Sequence, residues 1–411
     1  MRPPSPRTAH LPPLPGAVDL VVVGAGVVGL AHAVEAHARG HSVLVLERDA
    51  RAGGASARRA GHVAVTTQHA ATLACALASR ERWLKLGREA GFWVRDTGAV
   101  VVARAADELA VLDDLVAARD GDAHLLDAAA TADRAGIDGD GVVGGAFLPL
   151  DLRLDPHDAL GAVAAWLDAQ PRADVARGTT AWTFEPGSGR TLVRTSRGDV
   201  VARRVVVAVG AELDRFYPGE TARAGARHDV RQVLGVTAPA GPHGAVDDAA
   251  APVVLGGTTL LRESAYAHSP SLADVRERLR TTAPGLLDAD VHLTFSRRTG
   301  PAGPTLVLGD AHRPAGEAAD GPAPDRDPAR SEAADALLLR EAEALLGTRL
   351  EVRSRWTVPD VVMPWPRRGP FAGTPFLVTD PVPGVTTVTV AGGLSTTTAF
   401  GLATKVVDGL F

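Results

Sequence analysis

The stretch Val18-Asp19-Leu20-Val21-Val22-Val23-Gly24-Ala25-Gly26-Val27-Val28-Gly29, followed by Leu44-Val45-Leu46-Glu47, decides the fold. It reads as a buried parallel strand, a glycine turn, a helix and a second strand ending in an acid. Gly24 permits the tight turn. Gly26 lets the backbone approach a pyrophosphate, and Gly29 allows close helix–strand packing. Ala25, Val27 and Val28 carry the chain into the helix, whose N-terminus is expected to face the phosphates. Glu47 lies 18 residues after Gly29, where an acid can accept hydrogen bonds from a ribose. The ordered set of strand, turn, helix, strand and acid predicts dinucleotide binding. A glycine motif alone does not.

Bulk properties bound the rest. A chain of 411 residues is too long for one simple core, so two domains are expected. No apolar run approaches membrane-spanning length, and a net charge of −5 carries no nucleic-acid signature. Lys85 and Lys405 are the only lysines, so arginine supplies nearly all the positive charge. Cys75 is the only cysteine, which rules out an internal disulfide and suggests the cytoplasm. Residues 1–16 read as a flexible Pro-rich tail without a signal-peptide core.

Along the chain, Leu73, Leu77, Trp83, Leu84 and Leu86 recur at helical spacing over 72–90. Two strands are predicted in 92–103, broken at Thr97-Gly98, and a helix over 107–119. Asp155-Pro156 caps and opens another helix. A hairpin follows over 192–209, then short β-like runs from 230 to 308 around one charged helix near 271–281. Residues 313–330 read as a mobile loop, 332–346 as a helix, and 385–390 as a buried strand entering Gly392-Gly393. The pattern is interleaved. A Rossmann-type α/β domain with a central parallel sheet takes 17–70, 145–225 and 355–411. An α+β substrate domain with a mainly antiparallel sheet takes 71–144 and 226–354.

After the second strand comes Glu47-Arg48, then Arg51-Ala52-Gly53-Gly54-Ala55-Ser56-Ala57-Arg58-Arg59-Ala60-Gly61-His62. Here the chain resembles the FAD-dependent amine and amino-acid oxidase superfamily, the group of D-amino-acid, glycine and sarcosine oxidases. The resemblance covers nearly the whole chain. It implies that Glu47 and Arg48 lie at the adenosine ribose, and that Gly54, Ala55, Ser56, Arg58, Gly61 and His62 pass the pyrophosphate and flavin. It further implies that Val175 frames the adenine, that Ala208 and Gly210 approach the adenosine side, and that Gly392, Gly393, Leu394, Ser395, Thr396 and Thr397 meet the flavin. A helix N-terminus there can stabilise charge on a reduced flavin. Arg58 stands where some relatives carry a linking histidine, and Cys75 lies in a predicted helix, so non-covalent FAD is expected. No metal site is assigned.

Three further stretches resemble a narrower group, the FAD oxidoreductases associated with aminophosphonate catabolism: residues 60–68, Leu308-Gly309-Asp310-Ala311-His312, and Arg355-Trp356-Thr357-Val358-Pro359. An anionic substrate needs cations, and the planar arginine fork binds two oxygens at once. Arg59, Arg262 and His312 are the preferred anchors among Arg58, Arg59, Arg231, Arg262, Arg298 and His312. The expected activity is oxidation of the C–N bond of a small amine bearing an anionic group, with oxygen or an electron carrier as acceptor. The product imine hydrolyses to an aldehyde or keto acid. No acid–base side chain is strictly required, so no catalytic residue is assigned. The alternatives are a D-amino-acid or glycine/sarcosine-type oxidase or dehydrogenase, and a non-catalytic flavin-binding protein.

Overall fold

In β1 (Ala17–Val23) every residue from Leu20 to Val22 is fully buried, as a strand covered on both faces requires. α1 (Val27–Ala38) and β2 (Val43–Leu46) follow as expected, and β1 and β2 pair in parallel. The computed structural model describes residues 12–239, 250–300, 303–314, 330–363 and 373–411. The expected Pro-rich tail lies outside these up to residue 11. The expected loop at 313–330 lies outside them from 315 to 329.

Two eight-stranded sheets organise the chain. The parallel core of the first runs Val385–Val390, Gly198–Val207, β1, β2, Ala173–Ala176. The long strand Gly198–Val207 divides its outer edge. Its first half pairs antiparallel with Thr191–Thr195, and its second half pairs parallel with Val385–Val390. The second sheet is antiparallel except where Val253–Leu255 runs parallel to Ala99–Ala103. Its long strands are Arg227–Thr237, Val291–Gly300, Gly303–Pro314 and Val352–Val362. A small third sheet pairs Leu152–Leu154 with His62–Val63 on one side and Val94–Arg95 on the other.

Three placements differ from the sequence reading. The Ala70–Ala90 helix packs with the C-terminal helix Ser395–Leu410 and with Pro156–Asp168, in the core that covers the first sheet. Its buried face is Thr72, Cys75, Ala76, Ser79, Trp83 and Leu86, while Leu77 is exposed. The reason is proximity: a Cβ at Gly401 would lie 2.4 Å from the Cys75 backbone, so only small residues fit that crossing. Gly144–Leu148 and Val352–Val362 both join the second sheet, because their partners are Ala99–Ala103 and Arg227–Thr237. Arg262 ends a short 3-10 turn, Gly257–Leu261, and is not in a strand.

Candidate functional site

A cavity of about 390 Å³ opens beside the glycine turn. Gly24, Gly26 and Val28 line it, with Glu47, Arg48, Gly54, Ala55, Ser56, Ala208, Gly210 and Ser395. The turn is closed by backbone. Gly24 has φ +100, and a Cβ there would lie 2.7 Å from the Ala208 carbonyl oxygen. A Cβ at Gly29 would lie 1.9 Å from the Gly24 oxygen. At Gly26 only the Ser56 hydroxyl is near, at 3.3 Å, so its backbone is open to the cavity. The first turn of α1 thus presents N–H groups and a positive dipole end to a cradle that any side chain would fill, which suits a pyrophosphate.

Glu47 has a second task. Its Oε2 accepts from the Ala25 N–H at 2.9 Å, and its Oε1 accepts from the Asp49 N–H at 3.0 Å. The carboxylate thereby fixes the turn while it lines the cavity. Ser56 Oγ accepts from the Val27 N–H at 3.1 Å, which ties the second glycine-serine segment to the helix start.

Other residues named from the sequence lie off the cavity wall. Ala25, Val27 and Gly29 act through the turn itself. Arg58 donates to the Gly53 and Thr357 carbonyls, and its own carbonyl accepts from the Trp356 indole. Gly61, at φ +84, has the Leu154 carbonyl 1.9 Å from any Cβ, so its need is steric. The His62 Nε2 pairs with Asp151 at 2.8 Å. Val175 is buried, with its N–H donating to Asp168. Thr397 accepts from the Ala64 N–H, and the Thr396 carbonyl accepts from Trp83. Leu394 precedes the C-terminal helix, where its carbonyl accepts from the Thr398 hydroxyl. Arg298 pairs with Asp155. Trp182 on Ala181–Pro186 lines the cavity but was not singled out, because one exposed tryptophan carries no sequence signal.

Beyond Ser395 the arginines converge. Gly393 has φ +83, and a Cβ there would meet Arg59 Nη1 at 2.7 Å and Arg231 Nη1 at 2.8 Å. Arg262 donates to the Gly392 carbonyl at 3.1 Å, to Asp310 at 3.0 Å, and reaches His312 Nε2 at 2.6 Å. Arg231 is held by Asp360 at 2.5 Å and Asp310 at 2.8 Å. Arg59 reaches Asp360 at 3.3 Å, lines the cavity, and has a buried Nε without a hydrogen-bond partner. Thus Arg59, Arg262 and His312, chosen from sequence, meet at one place. Arg231 joins them as a central member, and Asp310 and Asp360 are the carboxylates between. Asp360 follows the Arg355–Pro359 motif directly, a neighbourhood that could have flagged it.

Burial sharpens these charges. It pushes the Arg59 pKa down, and Asp360 only partly restores it. Burial also opposes the charge of Arg231, but Asp360 and Asp310 outweigh it and hold this guanidinium firmly charged. For His312, burial and Arg231 push down, yet Asp310 and Asp229 prevail and raise its pKa to about 9. Next to this lies a cluster that sequence reading missed. The Gln68 amide donates to Glu263 at 2.9 Å, and Arg119 donates to the Thr66 and Gln68 carbonyls. Burial raises the Glu263 pKa. Thr66 and Gln68 share the 60–68 stretch, but Arg119 and Glu263 come from distant segments, so no spacing links them to it.

Residues 19–408 match the protein family described as DAO, FAD dependent oxidoreductase. No curated protein matches the chain. Among solved structures, glycine oxidase from Geobacillus kaustophilus is 17% identical, with TM-score 0.66, over 96% of this chain and 95% of that one. L-proline dehydrogenase from P. horikoshii is 16% identical, with TM-score 0.69, over 96% and 93%. Dithionite-reduced L-alpha-glycerophosphate oxidase from Mycoplasma pneumoniae, with FAD bound, is 16% identical, with TM-score 0.67, over 95% and 94%. At these identities the likeness is one of fold. No described helix is long and apolar enough to cross a membrane.

Proposed function

The chain belongs to the DAO family of FAD-dependent oxidoreductases, and from that premise we propose that it oxidises a small amine carrying an anionic group. It is an enzyme of the amine and amino-acid oxidase type and uses FAD. The finer reading is a 2-aminoalkylphosphonate or its N-methyl derivative. One observation carries it: Arg59, Arg231 and Arg262 gather at Gly392-Gly393, beside the motif-bearing strand segments 308–312 and 355–359, while Ala64 of segment 60–68 donates to Thr397 in the helix that follows. A phosphonate can hold nearly two negative charges near neutral pH and offers three oxygens to such a group of forks.

The first turn of α1 would hold the pyrophosphate, Glu47 the adenosine ribose, and Ser395 and Gly393 the flavin end. Held by these residues, FAD would supply a two-electron acceptor for oxidation at the carbon that bears the unprotonated amine. The substrate leaves as an imine, which water converts to a carbonyl product and an amine or ammonia. The arginines orient the substrate through its anionic end. Asp310 and Asp360 keep the forks in place and yield them to the incoming anion. We propose non-covalent FAD: Cys75 is buried in the helix crossing, and Arg58 stands where the resemblance implies a linking histidine in some relatives.

The competing reading is a D-amino-acid or glycine/sarcosine-type oxidase. It is favoured by the same two carboxylates, which cancel much of the arginine charge and leave a site suited to a single negative charge. Comparing kcat/KM for an aminophosphonate and its carboxylate analogue, with an artificial acceptor, separates the two. Preference for the phosphonate supports the finer reading, and preference for the carboxylate rejects it. Anaerobic bleaching of the oxidised flavin band by either amine excludes a non-catalytic flavin-binding role. Arg59→Leu should raise KM about tenfold or more with the flavin spectrum intact, the loss of one charge-assisted contact.

A further inference from the structure

On the side of His312 away from Arg262, the structure gathers a second set of groups that the amine chemistry does not use. His292 and His312 come from the neighbouring strands Val291–Gly300 and Gly303–Pro314, whose pairing shifts register between Val291 and Thr294. Their rings lie edge to face, 5.6 Å apart, and both side chains are buried. Asp290 bridges them. Its Oδ1 is 2.9 Å from His292 Nε2, and its Oδ2 is 3.8 Å from His312 Nδ1. One ligand atom from each of the three residues falls within 4.8 Å of the others. Asp229, also buried, adds a carboxylate oxygen 2.5 Å from His312 Nδ1.

We propose that Asp290, His292 and His312, with Asp229 as a fourth ligand, bind a divalent transition-metal ion of the zinc type. Zinc bonds of about 2.0–2.2 Å to nitrogen and oxygen place tetrahedral ligand atoms roughly 3.3–3.5 Å apart. The separations among Asp290, His292 and His312, from 2.9 Å to at most 4.8 Å, bracket that value, so side-chain rotations bring these three into one shell, which Asp229 approaches at His312 Nδ1. Two imidazoles with two carboxylates suit zinc and its neighbours, whereas magnesium and calcium prefer oxygen throughout. The surroundings fit as well. His312 Nε2 is 3.3 Å from Asp310 Oδ1, the outer carboxylate that commonly orients a metal-bound histidine. Asp290 is 57% exposed at its side chain, which gives an ion a route to two otherwise buried histidines.

The site touches the arginine cluster without consuming an arginine. With metal on Nδ1, His312 carries its proton on Nε2. It then donates to Asp310. The ion would be a structural neighbour of the oxidation site, not a participant in electron transfer.

The test uses the untagged, flavin-loaded protein, stripped with a chelator and titrated calorimetrically with zinc chloride, with bound metal measured after dialysis. One zinc per chain is expected. Asp290→Asn and His292→Gln should each weaken binding by about 100-fold or more, at or beyond the usual loss for supporting residues. Neither change should alter the flavin spectrum. Absence of stoichiometric zinc in the wild type overturns the proposal, as does unchanged affinity in Asp290→Asn. That variant alters an exposed carboxylate and keeps the test valid even where His292→Gln fails to fold. Displacement of zinc by equimolar magnesium or calcium would overturn the assigned ion class.

Discussion

Two glycine turns start two helices against the first sheet, and they are constrained in opposite ways. At the N-terminal turn the constraint is the chain's own backbone: Gly24 lies against the Ala208 carbonyl, and Gly29 against Gly24. At the C-terminal turn nothing lies within 4 Å of a Cβ on Gly392, and the nearest atoms to one on Gly393 belong to the guanidinium groups of Arg59 and Arg231. The first turn is a requirement of folding. The second is a requirement of the site, set by side chains that arrive from far along the chain.

Substitutions can break this contrast. Gly29→Ala should have the largest effect. Its Cβ cannot share space with a carbonyl oxygen 1.9 Å away, so strand and helix must separate, at a cost beyond the roughly 1–3 kcal/mol of ordinary overpacking. Little soluble, flavin-loaded protein is expected, and near-wild-type yield and melting temperature would remove the backbone argument. Gly393→Ala should come next. The protein should fold and keep FAD, yet displaced arginines should lower kcat/KM about 100-fold, the scale of a misplaced substrate. Loss of FAD together with activity would merge the two turns into one class.

Smaller effects sharpen the picture. Glu47→Ala strands the Ala25 and Asp49 N–H groups and removes the ribose acceptor. FAD affinity should fall by about 1–3 kcal/mol, read by fluorescence titration. Gly392→Ala should be mildest. It meets only the left-handed backbone penalty, about 1–2 kcal/mol at φ +68, with kcat/KM nearly unchanged. Equal damage from Gly392→Ala and Gly393→Ala would show that backbone conformation, not the arginines, governs the second turn.

The same contrast explains what was legible in the sequence. The N-terminal turn could be read directly, since its constraints lie within a few residues or in a strand of evident pattern. The element order and the two-sheet architecture also followed from local periodicity. The burial pattern of the Ala70–Ala90 helix did not. Its leucines suggested an apolar face, but the close approach of Gly401 selects small residues, a fact held in another helix. Arg231 could not be ranked above other arginines, because Asp310 and Asp360 are 79 and 129 residues away. Asp229, His312 and the Asp290–His292 pair likewise meet only through strand register.

The divided edge of the Gly198–Val207 strand sets an order of assembly. Its first half finds its partner within a hairpin, as soon as that hairpin is synthesised. Its second half stays unpaired until Val385–Val390 arrives, after the whole second sheet has been made. During translation the nascent chain therefore carries an open, valine-rich parallel edge at Val205–Val207, the kind of surface that aggregates or recruits chaperones. The Ser395–Leu410 helix, which covers the same core, also comes last. A ribosome stalled before residue 376 would hold a half-closed sheet that ordinary expression never exposes for long.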